Sequence, residues 1–165
     1  MPDVRLRRAQ IQDPPGRRYW PFYKGRDGCR APLPWNDGPS GGFTTGTPWL
    51  PLAPGFAARN VELQRRDPRS VWSFYRDLLA LRRASAALRQ GSFENIGLPS
   101  RSGLAYRRSI GGTQALVGLN FGPSPLRLGL CRDIDPAGWR LALSAHADRE
   151  ASLARGAIGL GPFQA

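Results

Sequence analysis

Between Tyr19 and Trp49 the chain reads YWPFYKGRDGCRAPLPWNDGPSGGFTTGTPW, and nothing in this stretch recurs with the period of a helix or a strand. Pro32, Pro34 and Pro48 stiffen the backbone, while Gly25, Gly41 and Gly42 let it turn tightly. A segment this long without regular structure is either disordered or a shaped loop, and its many aromatic rings argue against disorder. The remainder of the chain must therefore fold around a fixed loop.

The side chains of that loop suit a polyhydroxylated ligand. Trp20, Trp35 and Trp49 offer flat apolar faces that pack on the C–H faces of sugar rings, and Arg26, Asp27 and Arg30 offer charge-assisted hydrogen bonds to hydroxyls. The competing reading is that the aromatics pin a proline-rich loop to a domain surface, and composition alone favours it.

Composition narrows the remaining classes. A length of 165 residues is that of one ordinary domain, but 20 glycines and 16 prolines with 41% hydrophobic residues make it loop-rich, as expected of parts of two domains. A net charge of +12 points first to nucleic acid. Lys24 is the sole lysine, however, and the arginines are spread from Arg5 to Arg155 with no run longer than a pair. No helix-turn-helix, zinc-finger or RNP-like spacing occurs, so a solvated basic surface is expected and no specific nucleic acid. Cys29 and Cys131, with His146 as the only histidine, make neither a disulfide framework nor a metal site; no metal and no cofactor are expected, and both thiols read as buried. The opening MPDVRLRRAQ lacks the apolar core of a signal peptide, and no stretch reaches membrane-spanning length, so a cytoplasmic chain without a membrane partner is expected.

Residues Met1 to Gly16 show only the turn Asp13-Pro14-Pro15-Gly16, an irregular start resembling the middle of something longer. A short helical turn is expected within 57–66, around Val61 and Leu63. One long helix over 68–89 follows, with Asp67 as N-cap, Pro68 at N1, an apolar face of Phe74, Leu78 and Leu81, and Gly91 as its stop. Beyond Gly91 the pattern becomes short strands: Leu104–Arg108, a Gly111-Gly112 turn, Gln114–Phe121, Leu126–Leu130, Trp139–Leu143 and Ala157–Leu160. Their near-regular spacing argues an antiparallel β-sandwich.

The run Lys24 to Trp35, KGRDGCRAPLPW, closely resembles the GRDGCRTPMPW signature of bacterial α-glucosidases of the α-amylase superfamily, with Ala31 and Leu33 replacing the usual threonine and methionine. Gln12-Asp13-Pro14, Tyr19-Trp20-Pro21, Gly42 to Gly46, Pro48 to Pro51, Asn60-Val61-Glu62, Gln64 and Asp67-Pro68 follow in the order of that family. The resemblance is strong from about Gln12 to Gly91 and fades thereafter.

This resemblance implies an α+β fragment: the last loop and helix of a (β/α)8 barrel followed by a small antiparallel β-sandwich domain. Residues 1–90 would be the end of the catalytic barrel, with the signature loop at 19–49 and the final helix at 68–89, and residues 91–165 the C-terminal β-domain. It also implies a glycoside hydrolase acting on α-glucosidic bonds of malto- or isomalto-oligosaccharides, related to oligo-1,6-glucosidase and trehalose synthase. The family's catalytic carboxylates would precede the matched region, so no catalytic residue is expected here and the chain alone should be inactive. Asp27 is expected to pair with a neighbouring arginine. In the family one arginine of this loop reaches the sugar and pairs with an aspartate from the first part of the barrel; Arg26 and Arg30 both match, and the choice between them stays open. An α-glucoside oligosaccharide is the expected ligand of the intact enzyme, and the missing barrel segment a candidate partner. The alternatives are a non-catalytic carbohydrate-binding or subunit module and, with less support, a basic nucleic-acid-binding protein.

Overall fold

The computed structural model describes residues 6–131, 134–146 and 151–164, and its contacts divide into two units, one up to Ser73 and one from Phe74 onward. In the first unit, a 3-10 turn at Arg8–Gln10 precedes helix α1 (Pro14–Arg18). The Asp13-Pro14-Pro15-Gly16 sequence, expected as a turn, is the entry to this helix instead. Its prolines occupy the first helical positions, where a missing N–H loses no bond and a fixed φ suits the helix.

The loop from Tyr19 to Trp49 contains no strand, only 3-10 turns at Asp27–Arg30 and Pro39–Gly42. Backbone bonds hold its shape: Trp35 N–H donates to Gly41 C=O at 2.7 Å, and the loop carbonyls of Pro34 and Trp35 accept from Val61 and Glu62 at 3.1 and 2.9 Å. Those two donors open helix α2 (Val61–Arg66), the expected short helix. Asn60 caps it, its Oδ1 accepting from Leu63 N–H at 3.0 Å while its Nδ2 donates to Ala57 C=O at 2.9 Å. The apolar core of this unit is thin, with Ile11, Ala31, Leu50 and Ala53 buried beside Asp13, Asp27, Asn60, Ser70 and Ser73. Buried polar bonds therefore do an unusual share of the holding.

Helix α3 (Val71–Ala84) starts later than expected, because Ser70 and not Asp67 is the cap. Ser70 Oγ accepts from Ser73 N–H at 3.1 Å, and Ser73 Oγ donates back to Asp67 C=O at 2.8 Å. Asp67 instead closes a turn on Arg69 N–H at 2.8 Å. The expected single helix over 68–89 is also interrupted: Ser85 leaves helical dihedrals and its hydroxyl accepts from Leu88 N–H at 3.2 Å, opening helix α4 (Ala86–Gln90). Gly91 is the stop, though its φ of −61° is not left-handed; a Cβ there would lie 2.4 Å from Ala87 O. Along α3, Phe74, Leu78 and Leu81 are half-buried, while Val71, Tyr75 and Leu79, spaced by four, remain 67%, 58% and 49% exposed.

The second unit carries two three-stranded antiparallel sheets. Strands β1 (Ser92–Asn95), β2 (Gly103–Ile110) and β3 (Thr113–Asn120) form one in that order; β4 (Leu126–Gly129), β5 (Ser152–Ala154) and β6 (Ala157–Leu160) form the other, with β6 in the middle. Ile110 pairs with Thr113, leaving Gly111 and Gly112 as a two-residue hairpin turn with φ of 52° and 79°, which glycine adopts readily. Inward-facing Ala105, Leu116, Leu128, Ile158 and Leu160 share one core with Ile96, Leu130 and Ile134. Where a strand was expected at Trp139–Leu143 there is none: Trp139 N–H closes a turn on Pro136 C=O at 3.2 Å, and the ring packs against this core without a ladder partner. The thiols of Cys29 and Cys131 are both exposed, contrary to expectation: Cys29 lies on the outer side of the 3-10 turn at Asp27–Arg30 and Cys131 on a bend after β4.

Candidate functional site

The site is built by two crossings of the chain, the approach to α1 and the 3-10 turn at Asp27–Arg30. Ile11 is fully buried and anchors the first, with Arg17 Nε donating to its carbonyl at 2.5 Å. Gly25 makes the second possible. Its φ is +73°, and a Cβ there would lie 2.7 Å from Asp13 Oδ2 and 2.9 Å from Gly16 Cα.

At this crossing two aspartates are buried, Asp13 at 2% and Asp27 at 1% exposure. Asp27 does not pair with an arginine as expected. Its Oδ2 accepts the backbone N–H groups of Gln12 and Asp13 at 2.5 and 2.7 Å, because the 3-10 turn directs its carboxylate inward onto the other crossing. Its Oδ1 is buried with no hydrogen-bond partner among the described residues.

Asp13 takes the role assigned to Asp27. Its Oδ1 accepts from Arg26 Nη2 at 3.1 Å and lies 3.8 Å from Arg30 Nη1, and its Oδ2 accepts Arg26 N–H at 3.3 Å. Burial opposes the charge on this carboxyl, but the hydrogen bonds and positive charge of Arg26 outweigh it and hold Asp13 below the ordinary aspartate value. The structure thus brings the two candidate arginines onto one carboxylate oxygen. Both stay accessible, with side-chain exposures of 58% and 42%.

Trp20, Trp35 and Trp49 are partly to well exposed, as a ring-stacking role requires. Cys29 donates its thiol to Arg26 C=O at 3.0 Å, which helps close the 3-10 turn. Among the described residues no group of three or more His, Cys, Asp or Glu side chains is placed to hold a metal, and no helix is long and apolar enough to cross a membrane. Asp13 was visible in sequence only as part of Gln12-Asp13-Pro14; its separation from Arg26 gave no local signal of their pairing.

Residues 1–91 match the family model for the α-amylase catalytic domain. The chain is similar to a probable α-glucosidase of Rhizobium meliloti, 40% identical over 119 residues, which cover 72% of this chain and 21% of that protein. It is also similar to a trehalose-6-phosphate hydrolase of Escherichia coli, 36% identical over 150 residues, covering 86% of this chain and 25% of that protein. Among solved structures, an α-glucosyl transfer enzyme, XgtA, superposes with a TM-score of 0.79 at 36% identity over 98% of this chain and 29% of its own. The chain therefore spans about a fifth to a quarter of the length of these curated relatives.

Proposed function

The chain belongs to the α-amylase family, and from that premise we propose that it is the C-terminal part of an α-glucosidase-type glycoside hydrolase acting on the α-glucosidic bonds of malto- or isomalto-oligosaccharides. In this reading residues 1–90 complete the catalytic barrel and residues 91–165 form the β-domain that follows it. The observation that carries the reading is the convergence of Arg26 and Arg30 on buried Asp13, within a loop that also exposes Trp20, Trp35 and Trp49.

A retaining glycosidase cleaves with two carboxylates about 5 Å apart, one as nucleophile and one as acid and base. Asp13 and Asp27 are unsuited to either task. Each is buried: Asp13 is held by Arg26, and Asp27 accepts two backbone N–H groups through its Oδ2. The catalytic carboxylates then belong to the preceding part of the barrel, and this chain contributes substrate binding. A guanidinium suits the contribution because one edge of its planar fork can hold a carboxylate while the other donates to sugar hydroxyls. One structural neighbour is an α-glucosyl transfer enzyme, which supports glucosyl transfer as a second reading of the intact enzyme.

The test is complementation. Co-expression with the missing barrel segment should restore hydrolysis of an α-glucoside. Arg26→Ala and Arg30→Ala in the assembled enzyme should then raise KM or lower kcat by about 10- to 100-fold for whichever arginine faces the sugar. An assembled enzyme indifferent to both substitutions would remove the loop from the binding site.

A further inference from the structure

Two guanidiniums rarely lie close together without a reason, because each repels the other unless an anion lies between them. Here that anion is a single buried oxygen, Asp13 Oδ1, 3.1 Å from Arg26 Nη2 and 3.8 Å from Arg30 Nη1. The carboxylate is itself fixed. Its backbone N–H is held by Asp27 Oδ2 at 2.7 Å, its other oxygen accepts Arg26 N–H at 3.3 Å, and Gly25 leaves the space that this close approach needs. Neither arginine has another acidic partner among the ion pairs of the described residues.

We propose that Asp13 is a positioning residue that joins Arg26 and Arg30 into one preorganised donor pair, with Asp27 as the support that aims Asp13. The remaining N–H groups of the two forks then present themselves as a set to a hydroxyl-bearing ligand, and the question of which arginine acts is replaced by a joint role. A charge balance follows from the same four groups. The two carboxylates offset the two guanidiniums, so the pair suits a neutral polyol and gives an anionic sugar no net charge to bind. The significance of this device rests on the proposed sugar-binding function; its existence does not.

The experiment therefore reads the arginines directly in the full chain without sugar. Modification by phenylglyoxal, followed site by site through peptide mass spectrometry, should be slower at Arg26 and Arg30 than at the exposed Arg101. In Asp13→Asn, which keeps an oxygen for the Arg26 backbone N–H but removes the charge, both should accelerate together by about fivefold, as expected for loss of a partly exposed ion pair. Arg101 should be unchanged. A merely structural Asp13 would leave both rates alone, and acceleration of Arg26 only would break the joint role; either result overturns the proposal. Should Asp13→Asn fail to fold by circular dichroism, the unsubstituted chain still decides, because rates at Arg26 and Arg30 equal to that at Arg101 contradict a held pair. A negative result here leaves the glycosidase reading standing, and failed complementation leaves the Asp13 device standing.

Discussion

Asp27 Oδ2 accepts the backbone N–H of Asp13 at 2.7 Å, so the residue that would be read as a partner for arginine acts on the backbone of the residue that is one. Replacing Asp27 with alanine strands the buried N–H of Asp13 and leaves that of Gln12 without its acceptor. Each unsatisfied buried donor costs roughly 1–3 kcal/mol, so Asp27→Ala should lower the urea midpoint strongly. Asp27→Asn keeps an acceptor oxygen and removes a charge whose second oxygen has no partner among the described residues, so it should cost distinctly less. Equal losses for the two variants would contradict this division of labour.

Gly25 and Gly112 both have left-handed φ, +73° and +79°, but only Gly25 is crowded. Alanine at either position incurs the left-handed penalty of about 1 kcal/mol. At Gly25 the added methyl also meets Asp13 and Gly16, whereas at Gly112 nothing lies within 4 Å. Thermal unfolding should rank Gly25→Ala clearly below Gly112→Ala.

Asn60 caps α2 and ties it to the preceding turn at Ala57 through one accepted and one donated bond while 2% exposed. Asn60→Ala should cost about 1–2 kcal/mol in urea denaturation, the range for loss of an N-cap. Asn60→Asp keeps the cap and loses the donor to Ala57, and should fall between the two.

The pH dependence has a definite sign. Arg26 holds the carboxyl of Asp13 below its ordinary 3.8 in the folded chain despite the opposing effect of burial, so its contribution to stability is complete above that value. It is lost as the pH falls from there through the folded value. Between about pH 4 and pH 2 the urea midpoint of the unsubstituted chain should therefore fall more steeply than that of Asp13→Asn. Parallel curves would show that Asp13 titrates alike in both states.

Much of this fold can be read in the residues, and the failures share a cause. The hairpin at Gly111-Gly112 is legible because both its turn chemistry and its strand alternation are local. Helix α3 starts later than the sequence suggests because Asp67-Pro68 and Ser70 are both good local caps, and the choice falls to Ser70 through the bonds of Ser73 to Ser70 Oγ and to the Asp67 carbonyl, which no propensity encodes. At the site, Arg26 and Arg30 stand out through the signature they occupy. Asp13 does not, because its pairing depends on how Gly25 lets two crossings approach. The strand expected at Trp139–Leu143 from the spacing of its neighbours does not form, and the Trp139 ring packs against the core instead.

Helix α3 bears on the missing partner. Val71, Tyr75 and Leu79 form an exposed line beside the half-buried Phe74, Leu78 and Leu81. In the proposed enzyme the barrel covers this helix, and each such side chain buried is worth roughly 1.5–3 kcal/mol. The chain alone should bind an apolar-surface dye, and co-expression with the barrel segment should quench that signal. Leu78→Asp should abolish the quenching.

Hydrolysis of p-nitrophenyl α-glucoside, by the purified chain alone and by the chain assembled with the preceding barrel segment of a relative such as the Rhizobium meliloti protein, tests the central claim most directly. No turnover is expected from the chain alone, and turnover sensitive to Arg26 or Arg30 from the assembly. Turnover that copurifies with the isolated chain, and persists after traces of host glucosidase are removed, would contradict it.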